Sequence, residues 1–132
     1  MADTLQFDLV SPERKLASLA ATQVQIPGMG GDLTAMPNHA PFLTTLRPGV
    51  VRVTAGSETA EFVVTGGFAE VSPTAATVLA ERAVPRGEFA ADMAADLLAE
   101  AERHLAEAPE EMRMSAGQRL RDVLALKSQL SL

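Results

Sequence analysis

The side chains best suited to acid–base or metal chemistry are those of two histidines. His39 and His104 are the only histidines in the chain of 132 residues, and an imidazole can act as a general base or a metal ligand. His39 could activate a serine, but the chain has no Gly-x-Ser-x-Gly elbow. Neither histidine is followed four residues later by a carboxylate or another histidine, so the pattern indicates no metal site. A hydrolase is the hypothesis with least support, and the sequence favours a structural or interface role for His39.

The glycine-rich run from Gly28 to Leu33 resembles the start of a dinucleotide-binding loop. Its sixth position is Leu33 instead of glycine, and no helical pattern follows it. Lys15 and Lys127 are the only lysines and neither follows a glycine, so a phosphate-binding loop is not indicated. The run predicts a hairpin turn that exposes Asp32.

Acidic residues recur every four positions at Glu88, Asp92, Asp96 and Glu100. Oxygen cages for Ca²⁺ need a looping backbone with a glycine, whereas eight of the 21 residues from 88 to 108 are alanine. The stripe therefore predicts the solvated face of a helix, without metal or cofactor.

Residues 1–87 have the composition of a β domain. They contain eight of the nine glycines and seven of the eight prolines. Short runs with apolar residues at every second position, or with adjacent β-formers, are separated by turn residues, which predicts an antiparallel sandwich or barrel. These runs lie at residues 5–9, 23–26, 51–53, 62–64, 68–71 and 77–80.

Residues 88–132 change to a helical period. Apolar residues at 89, 93, 97, 101 and 105 predict one face of an amphipathic helix that ends near Pro109. A second helix follows, with an apolar side predicted at 112, 116, 120, 123, 124 and 130. The two helices form an antiparallel hairpin. Because alanine buries little area, the hairpin is either a weakly held switch or simply the completion of the fold.

Charge and composition exclude several classes of protein. The chain has 17 acidic and 11 basic residues, a net charge of −6, and no Cys, Trp or Tyr. It therefore offers no basic stripe for nucleic acid and no disulfide. The longest uncharged run, residues 16–31, is shorter than a membrane span and contains Gln23, Gln25 and Pro27. Direct membrane insertion is not expected, and the acidic N-terminus is unlike a targeting peptide.

Three stretches resemble a known family. They run from Val10 to Leu16, from Gly31 to Gly49 and from Phe62 to Val71. In order and spacing they resemble the epsilon subunit of bacterial F-type ATP synthases, with its pattern of Gly-acid-Leu, Pro-x-His-Ala-Pro and Pro-Gly. The resemblance covers residues 5 to about 86, and the tail agrees in layout more than in residues.

The resemblance implies an α+β protein without catalytic residues. It predicts an antiparallel β-sandwich of about ten strands over residues 1–87 and an antiparallel two-helix hairpin over residues 88–132, mobile and regulatory in this family. The sandwich would bind the gamma subunit and the polar loops of the c-ring, and rotate with them as part of the central stalk. Proton flow would thereby drive ATP synthesis in the alpha/beta head. The location implied is peripheral, on the cytoplasmic face of the bacterial inner membrane.

The resemblance also assigns individual residues. Asp32 occupies the acidic position of the loop that faces the c-ring, and Ser11 and His39 occupy positions near the gamma subunit. The turns at Gly66-Gly67 and Pro48-Gly49 are expected to be structural.

The hairpin departs from relatives that bind ATP. Their motif, Ile/Leu-Asp-x-x-Arg-Ala, has Ala95 in place of the arginine here, so ATP binding is not expected. A regulatory basic face on the second helix would be formed by Arg113, Arg119, Arg121 and Lys127. These four cations exceed the nearby acids Glu110, Glu111 and Asp122 by one, which predicts weak inhibition of ATP hydrolysis at most.

A free-standing small-molecule sensor is the alternative function. Its sheets would be the scaffold and its hairpin a ligand-gated lid. Such a protein would purify alone and gain thermal stability with its ligand, whereas a rotor subunit would stay with its complex.

Overall fold

The computed structural model describes residues 3–132 and confirms the α+β fold. Ten strands in two five-stranded sheets are followed by two long helices. The chain divides into two compact units between Arg86 and Gly87, one residue before the division expected from the sequence.

All ten strands lie in the first unit. They are β1 (Leu5–Val10), β2 (Lys15–Ala21), β3 (Gln23–Gly28), β4 (Gly31–Ala35), β5 (Phe42–Thr45), β6 (Gly49–Ala55), β7 (Glu58–Val64), β8 (Gly67–Val71), β9 (Ala75–Ala80) and β10 (Ala83–Pro85). A short 3₁₀ turn, Arg86–Glu88, follows the last strand.

The strands form two sheets of a sandwich. The first sheet has the order β2-β1-β9-β8-β5, and the second has the order β10-β7-β6-β3-β4. Neighbouring strands are antiparallel except β1 and β9, which are parallel. A hairpin can join only antiparallel strands; β1 and β9 are distant in the chain and are connected through the second sheet.

The core lies between the sheets and follows the period-two pattern. Leu5, Phe7 and Leu9 of β1 are buried, and Gln6 and Asp8 between them point outward. Opposite them, β3 and β6 contribute aliphatic residues to the same cluster. Burial of one large apolar side chain such as these contributes about 2–3 kcal/mol to stability relative to its exposure.

The second unit is the predicted helical hairpin. Helix α1 (Ala91–Glu107) and helix α2 (Arg113–Gln129) pack against each other and are separated by a 3₁₀ turn, Glu110–Met112, that begins after Pro109. Proline's missing N–H and fixed φ suit a helix start, which explains the break.

The buried face of α1 differs from the predicted stripe. Ala94, Leu97 and Ala101 are buried, whereas Met93 is 40% exposed. A strict four-residue repeat rotates by about 40° at each step around a helix of 3.6 residues per turn, so the stripe leaves the interface. In α2 the buried residues are Val123 and Leu126, and the predicted Leu124 is exposed.

Candidate functional site

A tight hairpin between β3 and β4 exposes the predicted acidic residue. Asp32 pairs with Pro27 and Gly31 pairs with Gly28, which leaves Met29 and Gly30 at the turn. This arrangement confirms the hairpin turn predicted from the glycine run. The Asp32 side chain is 76% exposed, so its carboxylate is accessible to a partner.

Arg47 connects this hairpin to the segment between β5 and β6. Its Nη1 donates a hydrogen bond of 2.6 Å to the Gly28 carbonyl, and its Nη2 donates to the Asp32 carboxylate. The Arg47 side chain is 28% exposed. One guanidinium therefore contacts both strands of the hairpin.

Backbone contacts join the same two segments. The Met29 N–H donates to the Thr45 carbonyl at 2.9 Å, and the Arg47 N–H donates to the Pro27 carbonyl at 3.1 Å. A Cβ at Gly49 would lie 2.6 Å from the Pro27 Cβ, so glycine is required for this close approach. The hairpin tip is thus fixed by backbone and side-chain contacts, and we call residues 28–32 with Arg47 the clamped tip.

Sequence reasoning missed Arg47, although a signal was present. Within residues 16–51, Asp32 is the only Asp or Glu and Arg47 is the only Lys or Arg. Two residues of opposite charge that are isolated from other charges and lie in neighbouring turns are candidates for an ion pair.

Ser11 and His39 lie at opposite ends of the first sheet. Ser11 directly follows β1, where its hydroxyl donates to the Arg14 carbonyl at 3.3 Å. His39 belongs to the β4–β5 loop, in which the Asn38 N–H donates to the Pro73 carbonyl at 2.7 Å. Because β1 starts beside Thr74 and has six residues, about 20 Å of strand separates the two ends.

His39 is held within its own loop. Its Nδ1 lies 2.6 Å from the Ala40 carbonyl oxygen, and its backbone N–H donates to the Met36 carbonyl at 3.1 Å. A carbonyl accepts only, so this contact requires the proton on Nδ1. The His39 side chain is thus engaged within its own loop, and its role at an interface or in the structure stays a prediction.

An apolar patch covers one end of the outer face of the first sheet. Phe68 and Leu79 are opposite each other in register and are 45% and 39% exposed, and Val10 is opposite Leu79 on the other side. Together with Ser11 and Pro12 they line a shallow groove. We call Val10, Ser11, Phe68 and Leu79 the sheet-one patch.

The exposed large apolar residues that lie in strands all belong to the first sheet, within residues 3–132: Phe42, Leu43, Phe68 and Leu79. Of these, Phe68 and Leu79 are adjacent on the outer face, and adjacent exposed apolar side chains are typical of an interaction surface. Sequence reasoning assigned Phe68 and Leu79 only to strands; the available signal was that both alternate out of phase with their buried neighbours Ala69 and Val78.

A polar cluster occupies the middle of the same outer face. The Lys15 Nζ lies 3.3 Å from the Asp8 carboxylate, and the Gln6 amide donates to Ser18 at 3.0 Å. A hydrogen bond from Ser18 is the largest effect that lowers the pKa of Asp8, with Gln6 and Lys15 adding to it against the opposing effect of burial. Asp8 is therefore an anion with three polar neighbours.

Three of the four cations of α2 lie on one side of the helix. At about 100° per residue, Arg119 lies roughly 240° around the helix from Arg113, and Arg121 roughly 80°. Lys127 returns to within about 40° of Arg113, but some 20 Å further along the axis. Arg113, Arg121 and Lys127 thus lie within about 120° of one another around the helix, and Arg119 lies about 80° beyond Lys127. Arg113 and Arg121 line the same shallow groove. Ala95 is exposed on α1.

Residues 3–132 contain neither a cluster of metal-ligating side chains nor a helix suited to span a membrane. No group of three or more His, Asp or Glu side chains is placed to hold a metal ion. Neither of the helices there is long and apolar enough to cross a membrane.

Comparison with known proteins identifies the sandwich. Residues 4–86 match the family model described as "ATP synthase, Delta/Epsilon chain, beta-sandwich domain". The ATP synthase epsilon chain of Rhodobacter capsulatus is 53% identical over 132 residues, which is 100% of both chains. Epsilon chain 1 of Cereibacter sphaeroides is 52% identical over 128 residues, 97% of each chain. The chain belongs to the ATP synthase epsilon chain family.

Solved structures show the same fold. A chain of the Euglena gracilis mitochondrial ATP synthase, in a structure of OSCP, F1 and c-ring, aligns with a TM-score of 0.75 at 22% identity, covering 98% of this chain and 83% of that one. A chain from the central stalk and c-ring structure of the Tetrahymena thermophila enzyme aligns with a TM-score of 0.69 at 15% identity, covering 97% and 96%.

Proposed function

We propose that this chain is a non-catalytic rotor subunit of a proton-translocating F-type ATP synthase. Family membership supports this assignment, and the observation that carries it is the presence of two accessible surfaces, the sheet-one patch and the clamped tip. A subunit that transmits rotation must bind two partners at once. The proposed partners are the gamma subunit and the c-ring, with nucleotide chemistry left to the alpha/beta head.

The first sheet is the proposed surface for the gamma subunit. Its outer face combines the apolar sheet-one patch, which includes Ser11, with the polar cluster around Asp8. Apolar area provides affinity, and the charged groups define the register of the partner. Contacts at both Ser11 and His39 would require a partner that runs about the length of β1, roughly 20 Å.

The clamped tip is the proposed contact with the c-ring. Asp32 is exposed and anionic at the end of a short, fixed hairpin. Polar loops of a membrane ring could donate hydrogen bonds to this carboxylate. The protein would then be held peripherally on the cytoplasmic face of the membrane through the ring.

The hairpin of α1 and α2 is proposed to regulate ATP hydrolysis weakly and without bound ATP. Ala95 supplies no guanidinium for a phosphate, and the cations Arg113, Arg119, Arg121 and Lys127 extend over about 20 Å along α2. A dispersed set of charges produces a weaker field on an acidic partner than a cluster does.

Binding to the gamma subunit tests the proposal through the variant Phe68→Glu. In the complex, the new carboxylate would be buried in the sheet-one patch without a partner, which is expected to weaken binding at least about 100-fold. Titration of labelled full-length chain with the gamma subunit measures this loss. Gln25→Glu adds the same charge to an exposed position on the second sheet and should bind as the natural sequence does.

Two outcomes would contradict the rotor assignment. Equal binding of Phe68→Glu and Gln25→Glu would remove the first sheet as the gamma surface. The second outcome is that the natural chain does not bind the gamma subunit and separates from the complex during purification. In that case the hypothesis of a free-standing sensor replaces the rotor assignment.

A further inference from the structure

We propose that Arg47 is the positioning residue of the clamped tip, holding Asp32 in the orientation in which it meets the c-ring. This inference rests on the proposed ring contact of Asp32. Arg47 would touch no partner atom itself; it would act through the carboxylate that it binds.

The first argument is the geometry of the guanidinium. Nη1 donates to the Gly28 carbonyl at 2.6 Å, and Nη2 donates to the Asp32 carboxylate. The Gly28 carbonyl belongs to β3 and Asp32 belongs to β4. A planar group that binds both at once fixes the carboxylate relative to the backbone of the hairpin.

The second argument is that Arg47 itself has little freedom. Its N–H donates to the Pro27 carbonyl at 3.1 Å, and its neighbour Leu46 is buried and pairs with Gly28. The Leu46 N–H also donates to the Gly67 carbonyl at 2.8 Å, which links the segment to the first sheet. The backbone at Leu46 and Arg47 is therefore hydrogen-bonded to both sheets of the sandwich.

The third argument is that the two side chains of the Arg47–Asp32 ion pair differ in solvent exposure. Arg47 is 28% exposed at its side chain, whereas Asp32 is 76% exposed. A carboxylate has about four acceptor sites, and Arg47 uses one oxygen, Oδ1. The remaining acceptor sites of Asp32 are thus available to a donor on the ring, while the positive charge stays behind the carboxylate. A pre-oriented acceptor loses less conformational entropy on binding than a free side chain does.

The experiment compares variants of the full chain in the reassembled ATP synthase. The soluble head, carrying each variant, is titrated onto ring-containing membranes, and both the dissociation constant and the number of protons pumped per ATP hydrolysed are measured. The variants are Asp32→Asn, Arg47→Gln, Arg47→Lys and the double variant of Asp32→Asn with Arg47→Gln. Arg52→Gln is the matched control because Arg52 is an exposed arginine on the same sheet, in β6.

Arg47→Gln and Asp32→Asn are each expected to weaken membrane binding about fivefold, and the double variant no further, because both substitutions remove the same oriented carboxylate. Arg47→Lys should be intermediate, since an ammonium on a flexible stem does not hold two acceptors in a planar fork. Arg52→Gln should bind as the natural sequence does. Protons pumped per ATP should fall in the same order.

Separate outcomes overturn the two proposals. If Asp32→Asn binds normally, the ring contact of Asp32 fails. If Asp32→Asn weakens binding and Arg47→Gln does not, the ring contact stands and the role of Arg47 fails. Losses that multiply in the double variant show that Arg47 acts independently of Asp32.

Folding is checked by the thermal midpoint of each chain. Should Arg47→Gln fail to fold, Arg47→Lys decides, because it keeps the charge: binding equal to that of the natural sequence overturns the two-acceptor clamp. Binding weaker than that of Arg52→Gln, with an unchanged midpoint, supports it.

Discussion

Gly67 is the residue at which the sandwich tolerates a side chain least. Its φ is +113°, and a Cβ there would overlap the carbonyl oxygen of Leu79 on the neighbouring strand β9. Backbone atoms within a sheet cannot move away without breaking ladder hydrogen bonds. The sequence analysis expected a structural glycine in the Gly66-Gly67 turn, and the structure supplies the reason.

Gly67→Ala is therefore expected to lower the free energy of unfolding by about 3 kcal/mol or more, from backbone strain and the steric overlap together. Denaturant titration of the full chain measures this loss. Gly30→Ala is the control, because no atom lies within 4 Å of the new Cβ and φ is not positive; it should change stability by less than about 1 kcal/mol. Equal effects of the two substitutions would contradict the steric account.

Asp8 predicts a pH dependence of stability. Its folded-state pKa is lowered from the ordinary value of 3.8, first by the hydrogen bond from Ser18. A lowered pKa means that the ionised form is favoured in the folded state, so this contribution is complete above pH 3.8 and is lost as the pH falls below that value.

Asp8→Asn should remove that acid-dependent part of the stability. The difference in free energy of unfolding between the natural chain and Asp8→Asn is expected to be at most about 1 kcal/mol at pH 7, and smaller at pH 3. Thermal unfolding at both pH values measures it. A difference that grows as the pH falls would have the wrong sign and would refute the assignment.

The strands that the sequence predicted and the strands that it missed occupy different positions in the sheets. The period-two and β-rich runs located β1, β3, β6, β7, β8 and β9, which are the six interior strands. The other four strands, β2, β4, β5 and β10, are the edges of the two sheets. An interior strand is covered on its inner face along its full length. Apolar and polar residues therefore alternate clearly in its sequence.

Edge strands carry a weaker signal for a physical reason. In β5, none of the four residues is buried, and in β4 only Ala35 is buried. Where burial is partial, selection for apolar residues at alternate positions is relaxed, so the pattern fades. The expectation of about ten strands therefore depended on the family resemblance, and the local pattern alone supported six.

The candidate site shows the same division between local and distant information. The turn at Gly28 to Asp32 is local, and the glycine run predicted it. The contact between Asp32 and Arg47 joins residues 15 positions apart and depends on how the β5–β6 segment crosses between the sheets. Such a crossing is set by tertiary packing, which a spacing rule does not contain.

At the scale of the whole molecule, the proposed function assigns coupling and regulation to the two units that meet between Arg86 and Gly87. The clamped tip and the sheet-one patch both lie in the first unit, and the dispersed cations lie in the second. The chain cut after Gly87 therefore keeps both proposed partner surfaces. It should then restore ATP-driven proton pumping to an enzyme assembled without the subunit.

Deletion of residues 88–132 should also leave ATP hydrolysis within about threefold of the rate with the full chain, a change of roughly 0.7 kcal/mol in activation free energy. The reason is that the four cations of α2 extend over about 20 Å of helix and are offset by Glu110, Glu111 and Asp122, so the hairpin lacks a concentrated charge for an acidic partner. Pumping and hydrolysis are measured together with the full chain, with residues 1–87 and without the subunit. A many-fold rise in hydrolysis with pumping intact would show that the hairpin inhibits strongly through contacts other than a basic face, and its apolar exposed residues Met112 and Met114 would be the next positions to substitute.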